Sequence, residues 1–170
     1  MDYIQFIGLL GLLLVILSFQ QKERGRILTL LYLAQILFTV HFSLLGAWTG
    51  AVMNGISAVR TFLFSQKDKF KFIDNPLLLY FFTVIAWIAG IMVWKNIYGI
   101  LPIIAMTFDN YAVWHKKASK IRLFMIIPRP FWFIYNLNAG SIAGILSELF
   151  VFLSVAVGII RYDLRKRNSK

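Results

Sequence analysis

Seven long apolar runs, separated by short polar segments, make up most of the chain. A helix that crosses a bilayer needs roughly 17–25 residues, and each run reaches or nearly reaches that length. The predicted spans are residues 3–19, 27–45, 47–64, 76–94, 97–114, 121–137 and 139–160. The links after the second and sixth spans are so short that each pair of helices must run antiparallel. The pattern therefore predicts an all-α integral membrane protein with seven transmembrane helices.

The amino-acid composition is that of a protein surrounded by lipid. Hydrophobic residues are 59% of the chain and the mean hydropathy is +0.73, whereas a soluble domain is roughly 45–50% apolar. Asp2 stands where a cleavable signal would carry a basic residue, so we expect the first span to be retained. Cysteine is absent, which excludes disulfides and thiolate chemistry.

The net charge of +11 is distributed in short clusters between the apolar runs, which does not suit a nucleic-acid partner. Fifteen of the 18 cations fall on one side of a seven-span arrangement. They are Lys22, Arg24, Arg26, Lys67, Lys69, Lys71, Lys116, Lys117, Lys120, Arg122, Arg161, Arg165, Lys166, Arg167 and Lys170. The positive-inside rule then places the C-terminus in the cytoplasm and the N-terminus outside. The basic tail, residues 161–170, serves orientation or binds anionic membrane lipids.

The chain also aligns with itself at an offset of 94 residues. This offset lays the first three spans over the last three and gives both third helices the pattern G-x-x-x-G-x-x-x-polar. The matched residues are Gly46, Gly50 and Asn54 with Gly140, Gly144 and Glu148. Few other identities support the match, so chance remains an alternative. A true repeat would comprise residues 1–64 and 97–160, joined by a loop and linker span over 65–96.

Such a 3+1+3 layout resembles the SWEET and PQ-loop transporters. The sequence is also similar to the YgjV family of bacterial inner-membrane proteins, through HFSLLGAWTG and ISAVRTF within residues 41–62, LPII at 101–104 and FIYNLNAGSIAGILSELF at 133–150. This resemblance implies an inner-membrane location and a SWEET-like fold, but no reaction. One departure is that Pro102, Pro128 and Pro130 all lie in the second repeat, which argues against a symmetric proline-hinged gate.

Four charged residues fall within the predicted spans: Arg60, Asp109, Arg129 and Glu148. Each would cost roughly 2.5–3.5 kcal/mol at the centre of a bilayer, so they should face inward or pair. Their depths predict one ion pair between Arg129 and Glu148 near the midplane and another between Arg60 and Asp109 nearer the cytoplasm. These pairs would be either structural pins between helices or part of a substrate or proton pathway.

The repeat sets Asn54 opposite Glu148 and makes Gln35 the counterpart of Arg129. By resemblance to SWEET-like folds, these four residues would line a central cavity and bind substrate. An amide facing a carboxylate would suit a hydroxylated or cationic solute, and Glu148 could carry a proton. We therefore interpret Asn54, Glu148, Arg129 and Gln35 as a substrate-binding site.

Enzymatic chemistry finds little support in the sequence. The two histidines, His41 and His115, are far apart along the chain, and Ser141 lacks the nucleophile-elbow pattern. We expect no catalytic, metal or cofactor site. The leading hypothesis is a transporter of a small polar solute. The alternative is a non-transporting membrane protein that stabilises or senses a partner, and the short chain is compatible with a homodimer.

Overall fold

The computed structural model describes residues 3–164, and over that range the protein is all-helical, without strands. Its α-helices are α1 (Tyr3–Phe19), α2 (Arg24–Leu44), α3 (Trp48–Ser65), α4 (Pro76–Met92), α5 (Ile100–Trp114), α6 (Ala118–Phe124), α7 (Arg129–Asn138) and α8 (Ile142–Gly158). Short 3-10 turns precede α4 and α5, and a π-helical turn, Ile159–Leu164, extends α8. Most of the predicted basic tail, from residue 165 onward, lies outside the described residues.

The sixth predicted span, residues 121–137, differs from expectation because two short helices replace it. A turn over residues 125–128 separates α6 from α7. The cause is Pro128 and Pro130, since proline lacks the N–H that a helix needs and its ring clashes with the carbonyl four residues earlier. Within the turn, Arg129 N bonds the carbonyl of Ile126, three residues back, at 3.2 Å. The predicted span 121–137 is thus built of two short helices on either side of the proline turn.

Six segments form a closed ring in chain order, and α4 lies outside it. The contacts run from α1 to α2, α3, α5, the α6–α7 pair and α8, and α8 returns to α1. Helix α4 packs against α3 and α5. Asn75 caps its start by accepting a hydrogen bond from Leu77 N at 3.0 Å, and Pro76 occupies the first helical position, where no N–H is required.

Apolar side chains cover the outside of this ring while polar side chains are buried inside it. On α4, the exposed residues Leu77, Tyr80, Phe81, Val84, Ile88 and Ile91 recur at helical spacing along one face. His41, Arg60 and Asn110, by contrast, are completely buried. Exposed apolar surface on this scale is typical of a protein in contact with lipid.

Two helices of the described chain are long and apolar enough to cross a bilayer by themselves. They are Arg24–Leu44 and Ile142–Asp163, the latter counted with its π-helical extension. Helices α1 and α4 are equally apolar but have 17 residues each.

The turns that end α2 and α7 have the same structure. Gly46 and Gly140, 94 residues apart, have φ values of +68° and +64°, and no other described residue has positive φ. After α2, the N–H of Ala47 bonds the carbonyl of Phe42 at 2.9 Å; after α7, Ser141 bonds Asn136 in the same way at 3.1 Å. Both are Schellman-type helix ends, which need a residue in the left-handed conformation and hence favour glycine.

Each turn is held by an aromatic side chain from the helix that ends in the other turn. Tyr135 of α7 accepts a hydrogen bond from Gly50 N at 2.9 Å and donates to the carbonyl of Ala47 at 3.2 Å. His41 of α2, the counterpart of Tyr135 at the offset of 94, bonds the hydroxyl of Ser141 at 2.7 Å. These reciprocal bonds fix the start of α3 against α7 and the start of α8 against α2.

Candidate functional site

The ring encloses a cavity of about 70 Å³. All four residues of the predicted binding site line it: Gln35 from α2, Asn54 from α3, Arg129 from the start of α7 and Glu148 from α8. The two pairs that match at the offset of 94, Gln35 with Arg129 and Asn54 with Glu148, therefore face one space. A cavity needs on the order of 10–15 Å³ of such space to hold a water molecule, so this one accommodates a few water-sized groups.

Arg129 lies between two carboxylates in the cavity wall. Its Nη1 is 3.1 Å from Glu148 Oε2, and its Nη2 is 2.9 Å from Asp109 Oδ1. The pair between Arg129 and Glu148 is the predicted one, but Asp109 joins it. The result is a triad of one guanidinium and two carboxylates, all nearly buried.

The proline turn determines where Arg129 lies. Arg129 is the first residue of α7, directly between Pro128 and Pro130, and its backbone N–H bonds Ile126 rather than the carbonyl four residues back. That earlier carbonyl, of Met125, instead accepts a hydrogen bond from Nε of the Arg129 side chain at 2.8 Å. The broken helix and the charged site are thus parts of one arrangement, because the arginine satisfies a carbonyl that the break leaves open.

Arg60 and Asp109 do not form the predicted direct ion pair. Asp109 bonds Arg129 and also accepts from Trp132 Nε1 at 3.0 Å. Arg60 donates instead to Asn110 Oδ1 at 2.5 Å and to Thr61 Oγ1 at 3.1 Å. Adjacent residues point about 100° apart on a helix. Asp109 therefore faces α7 while Asn110 faces α3, and depth alone could not distinguish them.

The sequence analysis did not identify two residues that bond the charged side chains of the site. Trp132 holds the second oxygen of Asp109, but its place within the aromatic run 131–135 gave no reason to single it out. Asn110 connects Arg60 to Thr83 of α4, with its Nδ2 donating to the Thr83 hydroxyl at 3.0 Å. A polar residue directly after Asp109 in an apolar run was the available signal for Asn110.

Hydrogen-bonding capacity remains free on one side of the cavity. Glu148 uses Oε2 for Arg129, and within the described chain its Oε1 accepts no hydrogen bond. Asn54 donates its Nδ2 to the carbonyl of Gly50, one turn earlier on α3, at 2.9 Å. Its amide oxygen has no partner among the described residues. Arg129, in contrast, donates from all three of its nitrogens.

A second polar cluster joins the halves at the basic end of the bundle. Asp74, just before α4, pairs with Lys116 and lies 3.1 Å from Nζ of the buried Lys67. Hydrogen bonds from Lys116 and Lys67 hold the pKa of Asp74 below its usual value. Burial lowers the pKa of Lys67, and Asp74 opposes that effect. Lys67 also lies over the ring of Trp114, 3.1 Å from its centre, a cation–π contact.

Comparison with known proteins identifies the family. The family model for Imp-YgjV, a bacterial inner membrane protein, matches residues 2–166. The chain belongs to this family. A relative, the inner membrane protein YgjV of Escherichia coli (strain K12), is 25% identical over 158 residues, which cover 93% of this chain and 83% of that protein. No solved structure matches the chain.

Membership in the Imp-YgjV family confirms the resemblance seen in the sequence and identifies the chain as a bacterial inner membrane protein. It also accounts for the distribution of side chains in the ring. The apolar exterior suits a lipid environment, and the charged triad is on the inside, where charged residues of membrane proteins are expected.

Proposed function

We propose that this protein crosses the inner membrane seven times and transports a small polar solute through the central cavity. In this proposal α6 and α7 together make the sixth crossing. The N-terminus is outside and the C-terminus is in the cytoplasm, as the distribution of Lys and Arg favours. The observation that carries the proposal is the single cavity lined by Gln35, Asn54, Arg129 and Glu148.

The 3+1+3 architecture belongs to the same proposal, with repeats over residues 1–64 and 97–160. It is supported by the matched positive-φ glycines and by the reciprocal bonds of His41 and Tyr135. The helix contacts also support it, because α1–α2, α2–α3 and α3–α5 correspond to α5–α6/α7, α7–α8 and α8–α1 at the offset of 94. Helix α4, outside the ring, is then the linker that restores the direction of the second repeat.

The alternative function, stabilising or sensing a partner without transport, is favoured by one observation. Each guanidinium nitrogen of Arg129 donates to a protein acceptor, as expected of a structural pin between α5, α7 and α8. The free oxygens of Glu148 and Asn54 favour the transporter, since a pin leaves no reason for unpaired acceptors to face a cavity. The two functions differ in whether water reaches the cavity.

Thiol labelling tests this difference, because the native chain has no cysteine. We would introduce Ser57→Cys and Ser147→Cys, two near-isosteric changes at cavity-lining positions, together with Asn54→Cys. Ser18→Cys is the matched control, because Ser18 is fully buried and does not line the cavity. The transporter predicts that a small charged methanethiosulfonate labels the cavity variants in the native protein and labels the Ser18→Cys variant only after denaturation. A cavity as unreactive as position 18 would refute transport and favour the alternative.

A further inference from the structure

The cavity contains more negative than positive charge. Two carboxylates, Asp109 and Glu148, line it with one guanidinium, Arg129. The remaining intramembrane charge, Arg60, is not part of the lining and is hydrogen-bonded to Asn110 behind the wall. A ligand that enters the cavity therefore meets an excess of one carboxylate.

Two free acceptors have the same preference, while the amides of Gln35 and Asn136, which line the cavity without a side-chain hydrogen bond in the described chain, can either donate or accept. Glu148 Oε1 and the amide oxygen of Asn54 are acceptors without partners in the described chain. The one cation in the wall, Arg129, already donates from each nitrogen to a protein acceptor. An anionic ligand would have to lie beside the two carboxylates that already neutralise Arg129, whereas a donor-bearing cation would meet acceptors that are already free.

Aromatic side chains complete the lining. Phe38, Phe42 and Trp132 all border the cavity, and the rings of Phe42 and Trp132 are stacked with centroids 6.3 Å apart. Aromatic faces attract cations through their quadrupoles, and sites for ammonium groups combine them with acceptors. The small volume of about 70 Å³ limits the ligand to a few heavy atoms.

From these observations we infer that the cavity binds a small ammonium-type cation, either ammonium itself or a short primary amine in its protonated form. The inference rests on the proposed function and specifies its solute. In the bound state, N–H groups donate to Glu148 Oε1 and to the Asn54 oxygen, and the aromatic rings contact the rest of the cation. Arg129 keeps its protein partners and holds Glu148 in place.

The test is equilibrium binding of radiolabelled methylammonium to the purified full-length protein in lipid nanodiscs. We expect saturable binding that unlabelled ammonium displaces and that equal concentrations of sodium do not. Absence of saturable binding to the wild type, or displacement by sodium as effective as by ammonium, would overturn the inference.

Variants locate the site. Glu148→Gln should weaken methylammonium binding about tenfold to a hundredfold, as expected for losing one hydrogen bond to a charged group. The control is Glu23→Gln, which removes an exposed carboxylate whose ion pair within the described residues is with Arg26; the affinity of this variant should equal that of the wild type. If Glu148→Gln does not fold, Asn54→Leu is the second variant and should weaken binding about threefold to tenfold. Unchanged affinity in a folded cavity variant would overturn the assignment.

The labelling experiment separates this inference from the proposed function. Reactive cysteines at positions 57 and 147 without methylammonium binding would leave a water-filled pathway for a different solute and refute only the ammonium-type ligand. Unreactive cysteines without binding would refute both.

Discussion

The two halves of the ring share a backbone design but differ in charge. Both end their second helix with a positive-φ glycine, at Gly46 and at Gly140. At the matched cavity positions, however, the first half has the neutral residues Gln35 and Asn54, and the second half has Arg129 and Glu148. Under the proposed repeat, the two halves therefore share a turn geometry but not their charged residues.

The second helix is continuous in the first half and broken in the second. The second helix of the first half, α2, is an unbroken helix of 21 residues, whereas prolines divide its counterpart into α6 and α7. The backbone carbonyls of an intact helix are satisfied by its own N–H groups, so none of them requires a hydrogen bond from the Gln35 side chain. In the second half, Arg129 bonds the carbonyl of Met125 as well as the two carboxylates. The comparison therefore indicates that one half supplies the electrostatic scaffold and the other supplies adaptable polar contacts.

The sharpest way to break this comparison is to substitute matched residues of the two halves. Arg129→Gln should lower the free energy of unfolding by about 3–5 kcal/mol, because it leaves two nearly buried carboxylates without their cation. Gln35→Ala should cost about 1 kcal/mol or less, since no hydrogen bond of the Gln35 side chain is seen in the described chain. The measurement is reversible denaturation in mixed micelles. Adding Asp109→Asn and Glu148→Gln to Arg129→Gln should recover part of the loss, and equal effects of the two single changes would contradict the asymmetry.

The reciprocal bonds across the ring offer the next largest effect. Tyr135→Phe removes the partner of Gly50 N and one of the two donors to the Ala47 carbonyl, which keeps its bond from Ala51 N. Leaving the buried Gly50 donor unpaired costs about 1–3 kcal/mol. Ser141→Ala, its counterpart in the other turn, removes the bonds to His41 and to Gly144 N and should cost a similar amount. Ser65→Ala is a control, because among the described residues that hydroxyl bonds only the Phe62 carbonyl and the side chain of the adjacent Gln66 and joins no other helix. Thermal unfolding of the three variants in the same detergent measures the effects.

Glycine substitutions test the shared frame directly. Gly46→Ala and Gly140→Ala should each destabilise by about 1–2 kcal/mol, because a side chain disfavours the left-handed conformation. An added Cβ would meet no atom within 4 Å at either position, so backbone strain is the only cause. Gly25→Ala is the matched control, since its Cβ would also meet nothing and its φ is not positive; it should be neutral or slightly stabilising. Markedly unequal losses at positions 46 and 140, measured by chemical denaturation, would argue against one repeated turn.

The sequence predicted the frame better than the site. Apolar runs located the helices to within a few residues, because lipid-facing surfaces require long continuous hydrophobicity. The offset of 94 brought Gln35, Asn54, Arg129 and Glu148 together through glycine spacing and polar matches. Beyond the pair of Arg129 with Glu148, the hydrogen-bond partners of the charged residues could not be predicted, because they depend on the rotation of each helix about its axis and on local backbone geometry. The partner of Asp109 was decided by helix rotation, and the bond from Arg129 to the Met125 carbonyl depends on the backbone geometry of the proline turn.

The smallest predicted effect concerns the contact that joins the halves at their basic end. Asp74 bonds Lys67, which follows α3, and Lys116, which follows α5. Because these bonds lower the pKa of Asp74, the stabilisation is present above the carboxyl's unfolded pKa of about 4 and is lost as pH falls through its lower folded value. Asp74→Asn should therefore lower the melting temperature slightly at pH 7, where the charged carboxylate contributes, and should approach the wild-type value on acidification below that pH. Asp68→Asn, at an exposed carboxylate 3.5 Å from Arg24, is the control. A wild-type acid profile in Asp74→Asn would show that the Asp74 bonds to Lys67 and Lys116 do not contribute to stability.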